Sequence, residues 1–152
     1  MKLKYTKLHP DEQVPFKASK GAAAYDLYSL ENVYIPHGET AVVRTGIALQ
    51  IPEGWKGESY SRSGLAADGI IVANAPGKID SDYRGEIKVI LHNTRKDLVG
   101  INYKDRIAQF EINPVHEIEW ELAEDLGLTE RGEDGFGSTG KYGPDDSLMH
   151  DR

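Results

Sequence analysis

Along this chain, short apolar runs alternate with turn residues, and the 3.6-residue spacing of an amphipathic helix is nearly absent. The first run, Lys2-Leu3-Lys4-Tyr5-Thr6-Lys7-Leu8, places apolar side chains between lysines, as a strand with one solvated face does. Further runs of β type cover residues 24–30, 33–35, 40–51, 57–61, 70–73, 86–92, 106–113 and 115–121. In the last, Glu117, Glu119 and Glu121 alternate with Ile118, Trp120 and Leu122, again a strand with one wet face. Pro36-His37-Gly38, Pro52-Glu53-Gly54, Ala75-Pro76-Gly77 and Asn113-Pro114 supply the fixed or positive φ that turns between strands require. The only helix predicted is a short one over residues 63–67. Strands this short and this closely spaced predict an all-β fold, a distorted β-barrel or jelly roll of mostly antiparallel strands.

The pattern stops near Glu130. Residues 131–140, RGEDGFGSTG, hold four glycines and one large apolar side chain, and the remaining residues are mostly polar. Such a segment cannot bury enough surface to fold by itself. We therefore divide the chain into a β domain, 1–129, and a flexible glycine-rich C-terminal arm, 130–152. A disordered tail accounts for the arm's composition, but an Arg, a Phe and a Ser-Thr pair among glycines also suit a segment that closes over an anionic, aromatic ligand.

Composition narrows the function classes. A chain of 152 residues forms one ordinary domain, and 39% hydrophobic residues with only three Phe make a lean core, so contacts between chains are expected to add stability. The net charge of −7 argues against general affinity for nucleic acid or an anionic membrane, which needs an excess of Lys and Arg. An anionic ligand must therefore meet local cations. The absence of Cys removes disulfides and thiolate metal sites. No signal-like apolar segment opens the chain and no run reaches the length of a membrane span, so a soluble, cytoplasmic protein is expected, in the host cytoplasm if the gene is a phage's. The five His, at 9, 37, 92, 116 and 150, lack ligand spacing and read as surface or strand residues. Trp55 and Trp120 read as packing residues.

Three segments carry candidate chemistry. Ile79-Asp80-Ser81-Asp82-Tyr83-Arg84-Gly85-Glu86 lies between two β runs. A hairpin with polar turn residues accounts for it, and so does a site in which carboxylates beside an aromatic orient a water next to a sugar. Ser61-Arg62-Ser63-Gly64-Leu65-Ala66 joins a strand to a possible turn of helix, either a plain capped turn or a phosphate grip of backbone N–H groups and a guanidinium. Asp26 is polar among mostly apolar neighbours, as a residue on an exposed strand face also is.

Together and in this order these segments resemble the five motifs of the trimeric, all-β deoxyuridine triphosphatase (dUTPase) family. The motifs are matched by AAAYDLYS (22–29), RSGLA (62–66), GKIDSDYRGEI (77–87), RIAQ (106–109) and RGEDGFGSTG (131–140). The resemblance implies Mg2+-dependent hydrolysis of dUTP to dUMP and pyrophosphate by water attack at the α-phosphorus. This would limit uracil in DNA and supply dUMP for dTMP synthesis. It implies that Asp80 orients the attacking water and touches the ribose 3′-OH, and that Tyr83 packs on the deoxyribose and excludes a 2′-OH. An ordinary aspartate is a weak base at neutral pH, so positioning must supply much of Asp80's effect. Asp26 would hold a Mg2+-bound water, the ion itself being held mainly by substrate phosphates. Arg62, Ser63, Gly64 and Gln109 would bind the α- and β-phosphates, with Arg62 also stabilising the transition state. Arg131, Ser138 and Thr139 would bind the γ-phosphate, and Phe136, followed by Gly137, would stack over uracil. Asn74 and the backbone of the hairpin around Gly77, Lys78 and Ile79 would read the base, because only a group that cannot flip separates uracil from cytosine. The same close backbone would exclude the 5-methyl of thymine.

The resemblance further implies a homotrimer in which the arm covers a neighbour's site. Three residues depart from the family pattern: Asp134, where Gly is usual, and Pro76 and Lys78, where small or apolar residues are common. A related dCTP deaminase is the nearest rival, but IDSDYRGE with a complete arm favours the hydrolase. A regulatory protein that keeps the nucleotide site and acts through a partner is the rival of another class.

Overall fold

The computed structural model describes residues 1–135. The chain divides into two compact units, Met1–Glu117 and the stretch from Ile118 onward. Among the described residues the regular elements all lie in the first unit: β1 Lys4–Lys7, β2 Tyr25–Tyr28, β3 Val33–Ile35, β4 Thr40–Arg44, β5 Ile47–Gln50, β6 Trp55–Tyr60, α1 Ser63–Ala67, β7 Ile70–Val72, β8 Gly77–Ile79, β9 Lys88–Asn93, β10 Val99–Ile101 and β11 Arg106–Pro114. They form four antiparallel sheets, ordered β1-β5, β10-β3, β2-β11-β6-β8 and β4-β9-β7. The fold is all-β and jelly-roll-like, as the run lengths predict.

One core unites the sheets. Val43 on β4, Ile47 on β5, Leu91 on β9 and Ile107 on β11 are all fully buried in one apolar cluster. Each such side chain contributes roughly 1.5–3 kcal/mol by leaving water. Helix α1 has the bounds predicted and buries no residue of its own.

The structure differs from the pattern in three places. The run 40–51 is two strands, broken at Gly46, whose φ of 75° suits glycine. A Cβ on Gly46 would lie 2.8 Å from the Glu12 Cβ. The break lets β4 join β9 while β5 turns to pair with β1. The run 115–121 forms no strand despite its alternation. Its apolar side chains are bare, with Ile118 66% and Leu122 101% exposed. Trp120 is 89% exposed, whereas Trp55 lies against the core. Finally, Gly77–Ile79 and Val99–Ile101 are strands that no apolar run announced.

Candidate active site

The four-stranded sheet gathers the site. Across it, Asp26 on β2 faces Gln109 on β11, and Gln109 faces Tyr60 on β6. Directly opposed residues share a sheet face. Leu27, Ala108 and Phe110 point to the core, so Asp26 and Gln109 lie on the other face. There the Asp26 carboxylate, with its side chain 6% exposed, is held by two guanidiniums. Arg62 Nε donates to Oδ1 at 3.2 Å and Arg106 Nη1 to Oδ2 at 3.2 Å. Arg62 Nη1 also donates to the Arg106 carbonyl at 3.0 Å. The first, second and fourth segments of interest thus meet although the paired residues are 36 and 80 positions apart. Two cations on one carboxylate leave the cluster positive in a chain of net charge −7, which is the local condition an anionic ligand requires.

Beyond Arg62, which caps α1 in an extended conformation, Ser63 and Gly64 begin the helix and are exposed. N–H groups in a first helical turn have no intrahelical acceptor and are free for an anion. A Cβ on Gly64 would meet nothing within 4 Å, so a ligand can approach its backbone closely.

On the other edge of the sheet β8 pairs with β6, Gly77 facing Ser59, Lys78 facing Glu58 and Ile79 facing Gly57. Gly77 is obligatory, because a Cβ there would sit 2.5 Å from Ser59 Oγ and 3.0 Å from Asn74 Nδ2. That places the exposed Asn74 amide against the start of β8. The Lys78 ammonium is engaged by Glu58, which leaves its backbone for any contact with a ligand. Asp80 follows directly on β8 and is exposed; its carboxylate makes no hydrogen bond to another described residue. Tyr83 folds back over Gly85, donating from its hydroxyl to the Glu86 carbonyl at 3.0 Å. Arg84 donates to the carbonyls of Ser81 at 2.6 Å and Tyr83 at 2.9 Å, bracing the same turn.

Arg131 belongs to the second unit, where its Nε donates to the Asp134 carbonyl at 2.8 Å and the Asp134 N–H returns a bond to the Arg131 carbonyl at 3.1 Å. Phe136, Gly137, Ser138 and Thr139 lie outside the described residues.

Two residues escaped the sequence reading. Arg106 stood inside RIAQ, but only the fold shows that it shares Asp26 with Arg62. Glu58 had no signal beyond its place in the alternation of Lys56, Glu58 and Tyr60. Its carboxyl is lowered from 4.5 to about 2, first by the Lys78 hydrogen bond and then, against the cost of burial, by Asn113, Tyr60 and Lys56.

Among the described residues no group of three or more His, Cys, Asp or Glu is arranged to hold a metal. No helix among them is long and apolar enough to cross a membrane. A groove of about 650 Å³ is lined by Met1, Leu3, Tyr5, Val14 and Trp55 among others and contains neither Asp26 nor either arginine. The polar cluster, not this apolar groove, has chemistry to offer.

A family model for dUTPase matches residues 11–140. This chain belongs to the dUTPase family. The deoxyuridine 5′-triphosphate nucleotidohydrolase of Nautilia profundicola is 49% identical over 142 residues, covering 93% of this chain and all of the relative. That of Clostridioides difficile is 44% identical over 139 residues, covering 91% and 97%. A mutant dUTPase of Staphylococcus bacteriophage 80alpha, solved with dUpNHpp, superposes with a TM-score of 0.82 at 29% identity, over 92% of this chain and 99% of the phage chain. A mutant dUTPase from phage phi11 of S. aureus, described with a structural Mg(II) ion, gives 0.76 at 26% identity, over 84% of this chain and the whole of the other. The family match thus covers the first unit from residue 11 and extends into the second.

Proposed function

We infer that this dUTPase hydrolyses dUTP to dUMP and pyrophosphate at the Asp26–Arg62–Arg106–Gln109 cluster together with the β8 hairpin. The observation that carries the reading is the doubly bridged Asp26. A buried carboxylate between two arginines keeps both guanidiniums oriented until a polyphosphate arrives, and one of them can then turn from the carboxylate to the phosphate. Arg62, the Ser63 and Gly64 N–H groups and Gln109 bind the α- and β-phosphates. Asp80, carried at the end of β8, takes a hydrogen bond from water and aims it at the α-phosphorus, and pyrophosphate leaves. The Tyr83 ring, pinned over Gly85, forms a wall against a 2′-OH. The backbone of Gly77, Lys78 and Ile79 with the Asn74 amide reads uracil.

The donors present fit Mg2+ brought by the substrate. One carboxylate and no three-ligand cluster among the described residues match an ion bound mostly by phosphates and water. Asp26 would hold one of its waters, and the ion would supply charge neutralisation of the leaving phosphates.

The arm from residue 130 completes the site of a neighbouring chain in a cyclic trimer, with Arg131, Ser138 and Thr139 on the γ-phosphate, Phe136 over the base and Gly137 between them. In support, Ile118, Trp120, Leu122, Leu126 and Leu128 are each at least 66% exposed, an amount of apolar surface that calls for a partner. The reading places the protein in the cytoplasm, where deoxynucleotides are used.

Pyrophosphate release from a panel of nucleotides with Mg2+ tests the chemistry: dUTP should exceed UTP, dCTP and dTTP by at least about a hundredfold in kcat/KM. Comparable turnover of dCTP or UTP refutes it. Asp80→Asn should lower kcat and leave dUTP binding nearly intact. For the shared site, Asp80→Asn chains reassembled 1:1 with chains cut after Thr129 should regain roughly a quarter of sites, the product of two independent halves. No recovery in trimers of confirmed mixed composition refutes the sharing.

A further inference from the structure

The turn that carries Asp80 and Tyr83 has few ties to the rest of the chain. Among the described residues, the hydrogen bonds made by residues 80–85 all stay within 80–86. The Tyr83 N–H donates to the Asp80 carbonyl at 3.2 Å, Arg84 donates to the carbonyls of Ser81 and Tyr83, and the Tyr83 hydroxyl donates to the Glu86 carbonyl. Such a turn holds its side chains only as well as its two ends are fixed to the scaffold. The entry is held by the β8 pairing, which ends with Ile79 opposite Gly57. The exit is Glu86.

Two independent ties fix that exit. The 86–87 peptide is held at its N–H, which Ile87 donates to the Ile47 carbonyl at 2.8 Å. A single bond lets the segment pivot about it, and the Glu86 carboxylate removes that freedom. It accepts from the Gly46 N–H at 2.9 Å on Oε1 and from Arg44 Nε at 3.2 and 3.1 Å on its two oxygens. The corner it grips is itself braced. The Gly46 carbonyl accepts from the Leu8 N–H at 2.7 Å and the Arg44 carbonyl from the Leu30 N–H at 2.8 Å. Exposed ion pairs fix little. The Glu86 side chain, however, is only 11% exposed and takes a backbone N–H as well as a guanidinium, so it is held in one place. Glu86, Arg44, Gly46 and Tyr83 all belong to one chain, so the clamp is complete within each subunit.

Building on the function proposed above, we propose that Glu86 is a positioning residue for sugar selection. Its carboxylate, clamped by Gly46 and Arg44, fixes the exit of the 80–85 turn and with it the Tyr83 ring that stands against a 2′-OH. Loss of the clamp lets the turn pivot at Ile87, so the ring no longer stands close enough to exclude ribose.

The test measures kcat and KM for dUTP and for UTP with Mg2+ in the full chain, for Glu86→Ala, Glu86→Gln and Arg44→Met, and for Glu86→Ala combined with Tyr83→Ala. In Glu86→Ala the ratio of kcat/KM for dUTP over UTP should fall about tenfold or more, chiefly because UTP improves, as when a wall moves by about 1 Å. A merely structural role would lower both nucleotides together and leave the ratio at its parental value. Glu86→Gln, which keeps an acceptor for the Gly46 N–H, should lose less of the ratio than Glu86→Ala. Beside Tyr83→Ala, which removes the ring, Glu86→Ala should change the ratio by less than about twofold. Should Glu86→Ala fail to fold, Arg44→Met removes the guanidinium at a half-exposed position and should lower the ratio at least about threefold. A parental ratio in Glu86→Ala or, failing that protein, in Arg44→Met overturns the proposal, as does a loss that persists undiminished beside Tyr83→Ala. A parent enzyme that turns over UTP as well as dUTP overturns the underlying function as well, so the two failures are told apart.

Discussion

Replacing Gly85 by Ala should separate stability from sugar selection. Gly85 is not among the glycines of positive φ, so its backbone accepts an alanine without strain. The new Cβ, however, would lie 2.6 Å from Tyr83 Cζ and 2.9 Å from Cε2. Carbon atoms in contact sit about 3.5–4 Å apart, so the ring must move by about 1 Å. Tyr83 is 46% exposed and can swing outward. Doing so breaks its 3.0 Å bond to the Glu86 carbonyl, worth about 0.5–1.5 kcal/mol. Against this, alanine narrows the unfolded ensemble and returns about 0.4–1 kcal/mol. The net change is about −0.5 to +1.1 kcal/mol, a shift in Tm of less than about 4 °C for a chain of this size. In the function proposed, sugar selection, by contrast, rests on where the ring stands. The ratio of kcat/KM for dUTP over UTP should fall at least about tenfold, chiefly because UTP improves. Pyrophosphate release with each nucleotide, beside thermal melts of parent and variant, measures both quantities. An unchanged ratio would show that the ring over Gly85 is not the wall. A Tm lower by more than about 8 °C would show that the ring cannot yield as argued.

Asp26→Asn removes the charge shared by Arg62 and Arg106 and should raise the Mg2+ concentration for half-maximal dUTP hydrolysis by about tenfold or more, read by titration at saturating dUTP. Glu58 is held at about 2 in the folded protein against 4.5, so its contribution to stability is fully present above pH 4.5 and is lost as pH falls toward 2. Denaturant melts across that window should show an acid limb that is shallower in Glu58→Gln. Gly57→Ala would place a Cβ 2.7 Å from the Phe110 ring, whose side chain is buried, and should cost about 1–3 kcal/mol in denaturant unfolding with m unchanged.

The sequence by itself determined the fold class, because strand spacing and turn chemistry are local properties. The lengths of the apolar runs excluded long helices, and Gly69, at a φ of 82°, marks the turn that ends α1. It also nominated the residues proposed to carry chemistry, since five segments that resemble the family's motifs in order name Asp26, Arg62, Asp80, Tyr83 and Gln109 without any coordinates. Only the tertiary structure decided which of them meet. That Arg106 and Arg62 share Asp26 depends on the ladder that sets β2 beside β11 and β11 beside β6, contacts between residues far apart in the chain. The same holds for Glu58, whose alternation was visible while its four donors, drawn from three strands, were not. Alternation misled at residues 115–121, where Ile118, Trp120 and Leu122 have the pattern of a strand and form none. A strand needs a partner edge to bond its backbone, and no local pattern can state whether one is there.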